Sequence, residues 1–565
     1  MMDSTSFLVK GGSIYTMDPR RPWAQCLVVH GNTIVYVGPE TGSEQVTDNA
    51  TEVIDVDGGL CLPGFIDAHD HYGNLAMTKI GVDVTGLTDP DAIVARIRQF
   101  ALDHPEKPFI QGFGWTNATF DGGSPTRALL DQAINDRPCV ILSWHGHDGW
   151  FNTAAMRAAK LTPDSPDPDP GIQYYPRDHE GWPTGHAVEP EAMIPILAAI
   201  GAASYEGLRD AQRLTIDAAP SWGVTSYMEA GVILGPNEYA EFVYQDLVDR
   251  DNAGTIPVRI VGTVWSREAS DDPAAVVATL KDWNHRIRSE HIKISVLKVW
   301  ADGTFMSGGA LLLEPLTDDP TQMDRGTMTF TKEQIERQTE LAQLAGFDMH
   351  IHVDGDGSVR TVLDAFEAVR SKIGNEGSRH TICHNTLVHP DDVRRFAELG
   401  VIDNCTPIWG TDYEGHQYDV YERRLGPERM EERLYPYGDL VRSGAVVTYG
   451  ADLPGSQIHE IAPLMQIEAA VTRKRPGHRD DRALVERQRV DLHDALRGYT
   501  INGAFQLRLD DEVGSLEVGK RADLTVWSRN LFDVDPDDIH TVPLVLTMMD
   551  GRLTYDARSD TTAEE

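Results

Sequence analysis

Cysteine is scarce in this chain. Five residues, Cys26, Cys61, Cys139, Cys383 and Cys405, stand far apart in 565 and form no CxxC pair. A scattered, odd-numbered set offers no disulfide framework and suits a reducing compartment. Long apolar runs are missing as well: nowhere do ~18 apolar residues follow one another, so no segment reads as a membrane-spanning helix. The N-terminal stretch MMDSTSFLVKGG has no basic segment leading into an apolar one, which predicts no secretory leader and a cytoplasmic protein. Basic residues are few, 50 against 88 acidic, for a net charge of −38. A field of that sign repels phosphate backbones and anionic lipid, so nucleic acid and membranes are not expected partners. A homo-oligomer stays open, because none of these arguments bears on self-association.

What the chain does have is enough apolar residue, 41%, for a large core. Its length suits one large domain plus a smaller one. Eight short apolar runs, each ending in polar residues or glycine, recur along it, at 59–71, 223–231, 257–265, 294–303, 346–356, 379–384, 400–409 and 444–452. They are too continuously apolar for half-exposed strands and read as buried parallel ones. Helix-like stretches lie between them, such as 331–346, where Thr331 can cap and Gly346 can stop. Strand–helix alternation eight times over predicts a (β/α)8 TIM barrel, here over residues 63–507. The interval between the first two runs far exceeds the ~25–40 residues of an ordinary crossover. Residues 80–200 are therefore expected to be an inserted subdomain with strands near 108–115 and 139–146, roofing the catalytic face. The strand-like ends, 1–62 and 508–565, are each too short to close a sheet alone, and together they predict a small composite β-sandwich domain.

The chemistry-bearing residues fall at the ends of the predicted strands. In Asp67-Ala-His69-Asp-His71, residues two apart share a face, so His69 and His71 both point into the barrel mouth and suit a divalent metal. Lys298 sits in the apolar run ISVLKVWADG. It is either a lysine snorkelling to a surface carboxylate or a neutral amine that takes up CO2 to form a metal-bridging carbamate. His352 and His384 end the fifth and sixth runs one βα unit apart, which favours ligands over packed histidines, while His350 lies one layer deeper. Asp452 ends the eighth run. It can be a helix cap, or the carboxylate that moves a proton from water to a departing nitrogen. That these residues fall on strands 1, 4, 5, 6 and 8 of a barrel derived without them makes the set more specific than any one motif.

PGFIDAHDH, KVWADG, HVDGD, the RH…His384 strand, GAD and VGSLEVGKRADLTV together resemble the amidohydrolase superfamily, in its YtcJ-like and N-substituted formamide deformylase-like branch. GHDGWFN and PTG resemble that branch's inserted segment. The resemblance implies His69, His71, His352 and His384 as metal ligands, Lys298 as a carbamylated bridge between one or two divalent ions, most often zinc, and Asp452 as ligand and general base. It also implies His147 on the substrate side, and Trp115 and Asp302 join it as expected substrate contacts. The implied activity is hydrolysis of an amide-like C–N bond, N-formyl or N-acyl, in a small molecule. Deamination, C–C or C–O hydrolysis, and a non-catalytic regulatory role are the rival readings. Three positions depart from the branch: Gly308 replaces an arginine, HVDGD replaces HAIGD, and Cys383 replaces glutamate before His384.

Overall fold

The computed structural model describes the chain except residues 1–5, 73–80, 121–122, 145, 203–204, 233–236, 320, 322, 414, 416, 454–460 and 560–565. Its largest sheet has eight strands: β1 (Phe65–Asp70), β2 (Val224–Glu229), β3 (Arg259–Ser266), β4 (Ile292–Trp300), β5 (Asp348–Val353), β6 (Thr381–His384), β7 (Ile402–Cys405) and β8 (Val447–Tyr449). Each neighbour in that order pairs in parallel. One barrel strand falls on each of the eight expected runs, and nearly every barrel-strand residue is buried, as a sheet covered on both faces requires. The expected helices lie between the strands. That at Lys332–Leu344 begins with Thr331 and Gln334 in a reciprocal capping box, and Gly346 follows its end with φ 82°.

The first apolar run is not one strand. Leu60–Pro63 belongs to a second sheet and Phe65–Asp70 to the barrel, with the break at Gly64. A Cβ there would come within 2.3 Å of the Thr225 hydroxyl, so only glycine lets the chain cross between the two sheets. That second sheet has six strands, three from each end of the chain, joined where Leu524–Trp527 pairs antiparallel with Leu60–Pro63. A four-stranded N-terminal sheet packs on it, with Phe7, Val9, Ile54, Val526 and Leu546 in the shared core. Arg259 at the start of β3 is buried and pairs with Asp523 and Asp550, which fastens the C-terminal strands to the barrel.

Between β1 and β2 the chain forms its own five-stranded sheet, which includes Ile110–Trp115, Cys139–Ser143, Asp148–Phe151 and His186–Val188. The insertion has a separate core, built around Ile93, Ile97, Leu130 and Trp150.

The barrel closes between β8 and β1 through side chains as well as backbone. The Asp452 amide donates to the His69 carbonyl at 3.1 Å, while the Ala451 and Leu453 amides donate to the carboxylates of Asp67 (3.0 Å) and Asp70 (2.8 Å). This seam sets the chain after β8 directly beside the two β1 histidines. Among the described residues no helix is long and apolar enough to cross a membrane.

Candidate metal and catalytic centre

The eight strands end at one mouth, and there the structure brings together six of the expected site residues. His69 and His71 share a face of β1 and its end. Their Nε2 atoms stand 3.4 Å apart, and each is 3.5 Å from Asp452 Oδ1. These separations are too long for charge-assisted hydrogen bonds, which run about 2.7–2.9 Å. They match the edges of a tetrahedron around a zinc-like ion, whose bonds of about 2.0–2.1 Å put ligand atoms about 3.3–3.4 Å apart. Asp452 Oδ2 faces His384 Nδ1 at 3.6 Å. The His384 ring lies 4.5 Å from that of His352, whose Nε2 is buried without a hydrogen-bond partner among the described residues. An orphaned buried imidazole nitrogen beside three other histidines is what a metal ligand looks like before its ion is considered.

Backbone strain aims two of these groups. Cys383 is the register partner of His352 and shares its face, so plain alternation would turn His384 away. His384 instead has φ 77°, which swings its ring back into the mouth, and Asp452 has φ 53°. Left-handed conformations at non-glycine residues cost about 1–3 kcal/mol each and persist where the surroundings over-determine them. Asp452 is therefore held at the mouth by the β8–β1 seam rather than serving as a helix cap.

Lys298 is 1% exposed and does not snorkel. Its ammonium reaches Cys383 Sγ at 3.5 Å, and none of the ion pairs among the described residues includes it. Burial, with Lys298 adding a positive field, pushes His69, His352 and His384 well below the usual imidazole range and His71 down to about 3, so all four are neutral, the charge state a metal ligand needs. Burial raises Asp452 to about 6 against the opposing pull of Lys298.

A cavity of about 500 Å³ opens above this cluster. His352, His384 and Asp452 form part of its floor, and Trp144, Trp409, Tyr413 and Tyr421 are among its walls. The insertion contributes His147, which lines the cavity and donates from Nδ1 to Glu189 Oε2 at 2.7 Å. Burial alone would lower His147, but the Glu189 carboxylate overrides it and raises the imidazole to about 9, making it a cation at neutral pH. Glu189 is itself buried, with φ 68° and ψ 159° at the head of the helix Pro190–Ile200.

Two substrate-side expectations are corrected. Trp115 is fully buried in the insertion's core, its indole N–H bonded to the Ile141 carbonyl at 2.8 Å, so it stabilises the insertion instead of facing the cavity. Asp302 is also fully buried. Its oxygens accept the amides of Leu311, Asp354 and Gly355 and the Ser358 hydroxyl, which occupies it in joining the loops after β4 and β5.

Residues 52–555 match the amidohydrolase family across almost the whole chain, and the histidine–aspartate mouth falls inside that span. The chain belongs to the amidohydrolase family. Protein LONG AFTER FAR-RED 3 of Arabidopsis thaliana is 26% identical over 558 residues, covering 97% of this chain and 91% of the relative. The N-substituted formamide deformylase of Arthrobacter pascens is 25% identical over 574 residues, covering 98% and 99%. In fold, the chain is similar to a metal-dependent hydrolase from Pyrococcus horikoshii, with TM-score 0.71 and 24% identity over 94% of this chain and 99% of that one. As an amidohydrolase, the protein is a hydrolytic enzyme.

Several groups around the centre of this amidohydrolase escape sequence reasoning. Glu229 at the end of β2 is fully buried, with Oε1 3.6 Å from His71 Nδ1. Asp67 precedes the HxH pair and Asp70 stands inside it; both were legible as acids, but not as seam acceptors. Burial raises both above the usual carboxylate range. The His147–Glu189 contact spans 42 residues and had no local signal.

Proposed function

We propose that the protein hydrolyses an amide-like C–N bond, of the N-formyl or N-acyl kind, in a small molecule with an apolar body. The observation that carries this reading is the triangle of His69 Nε2, His71 Nε2 and Asp452 Oδ1, with edges of 3.4–3.5 Å, whose Asp452 corner lines an aromatic-walled cavity. His69, His71, His352, His384 and Asp452 would hold one or two zinc ions, with Lys298 as a carbamate that turns a buried cation into an anion among neutral imidazoles. Bound zinc would lower the pKa of water toward about 7 and polarise the scissile carbonyl. Asp452 then accepts the proton of the attacking water and hands it to the departing nitrogen. The cationic His147, held by Glu189, takes the substrate oxygen from the insertion side. Trp144, Trp409 and Tyr413 supply apolar surface for the body of the substrate.

Asp356, the acid after His352 that a ring deamination would recruit, pairs with Arg433 at 2.8 Å and accepts the Leu313 amide, which favours amide hydrolysis over deamination. The test is metal analysis of the purified protein, combined with a screen of N-formyl, N-acyl and carbamate amines before and after chelation. One to two equivalents of zinc are expected, with activity lost on chelation and restored by the ion. Full activity of metal-free protein would refute the mechanism.

A further inference from the structure

The two β1 histidines are braced differently. His71 donates from Nδ1 to the Gly231 carbonyl at 2.6 Å. A carbonyl can only accept, so the proton of His71 is fixed on Nδ1 and Nε2 keeps its lone pair for the cluster. His69 has no carbonyl in that role. Its Nδ1 lies 2.8 Å from Nε2 of His350, a fully buried imidazole one layer deeper on β5. An imidazole nitrogen can donate or accept, so this contact has two states. In one, His350 donates, and His69 then carries its proton on Nε2, pointed at His71 and Asp452. In the other, His69 donates from Nδ1, and Nε2 is bare.

His350 Nδ1 has no hydrogen-bond partner among the described residues. When His350 donates from Nε2, the orphan atom is a lone pair. When it accepts, the orphan is an N–H, the costlier group to leave buried and unpaired. The protein alone therefore leans toward the state in which His69 is unready to ligate. Ligation through His69 Nε2 would require the other state, in which His69 donates from Nδ1 and His350 carries its own proton on Nδ1.

We propose that His350 is a positioning residue for metal binding: it accepts the Nδ1 proton of His69 and so sets the tautomer that lets His69 ligate. This rests on the metal-site reading above. His350 lies outside the triangle of His69, His71 and Asp452, and its effect passes through His69.

The test compares His350→Leu, which fills the space and cannot accept a proton, with His350→Gln, whose side-chain oxygen can. Zinc affinity is measured on the full-length, metal-free protein by competition with a chromophoric chelator, and cobalt(II) is then added to read ligand geometry from its visible absorption. Losing such a support for a ligating histidine typically costs about 10–100-fold in metal affinity. His350→Leu is expected to lose that much and to alter the cobalt spectrum, while His350→Gln stays within a few-fold of the parent in both. Melting of the metal-free proteins checks folding separately. His350→Leu binding zinc as the parent does would overturn the inference and leave the metal site standing. Equal losses in both variants would overturn it too, by making His350 a packing residue. A parent protein that binds neither ion would overturn the metal-site reading itself.

Discussion

Replacing Asp452 by asparagine separates its chemistry from its structural role. The residue has φ 53°, and asparagine is among the few side chains that tolerate this conformation, so the seam to β1 survives. Burial raises Asp452 from 3.8 to about 6. A carboxylate whose folded pKa is raised works against folding as pH climbs from the unfolded value through the folded one. Two units at ~1.36 kcal/mol each make that penalty about 3 kcal/mol at neutral pH in metal-free protein. Metal-free Asp452→Asn is therefore expected to be at least as stable as the parent at pH 7 and to gain nothing at pH 3, where both side chains are neutral. Activity moves the other way: losing a positioned proton carrier costs ~10²–10⁴-fold in kcat. Denaturant unfolding of metal-free protein at the two pH values, with kcat for the best amide found by screening, reads both effects. A variant that is destabilised at pH 7 and turns over normally would refute the argument and leave Asp452 as a structural residue of the seam.

His69→Ala or His71→Ala should abolish zinc retention and activity together, read by metal analysis and turnover, while circular dichroism stays native. Glu189→Gln removes the carboxylate that raises His147 to about 9; because the cation exists below that value and is lost above it, the alkaline limb of the pH–rate profile should fall from near 9 toward the ordinary imidazole range. Trp144→Ala should raise KM for bulky apolar substrates with little change in melting temperature. Trp115→Ala, which empties a filled core position, should instead cost about 3–5 kcal/mol in unfolding free energy and affect all substrates alike.

The barrel was legible because strands buried on both faces leave unbroken apolar runs, and all eight runs contain a strand. The convergence of the histidines and Asp452 was legible for the same reason, since side chains at the ends of parallel strands are forced to one mouth. Other features depend on tertiary contact and leave no such mark. The Pro63-Gly64 pair looks like the opening of a strand, and only the Thr225 side chain packed against it shows that Gly64 is a crossing between sheets. Trp115 ends a strand in the insertion, where its side of the sheet decides between core and cavity; the sequence carries aromatics on both. Asp302 reads as a site acid because it follows Lys298 at a strand end, yet its oxygens are consumed by amides from a loop some fifty residues later. Glu189 was invisible, since nothing in TGHAVEPEA announces a glutamate with positive φ closing on a histidine 42 residues away.

The residues of the mouth and of the insertion beside it share a physical character. His384, Asp452 and Glu189 have strained backbones, while Asp452, Lys298 and His147 carry or acquire charge in buried surroundings. Each is unfavourable locally, and each sits where a rigid element holds it: the end of β6, the β8–β1 seam, and the head of a helix in the insertion. A flexible loop would relax such a residue into an ordinary conformation, and the convergence of His384 and Asp452 on the β1 histidines would be lost. The insertion matters for the same reason. His147 can face the cluster as a cation only because Glu189 is fixed behind it at the head of the helix Pro190–Ile200, whose Ala192, Met193, Ile196 and Leu197 pack into the large core shared with the barrel. The barrel thus fixes the groups suited to binding metal and moving protons, and the insertion fixes the charge they face across the cavity, so substitutions that loosen either body should degrade the chemistry before they unfold the chain.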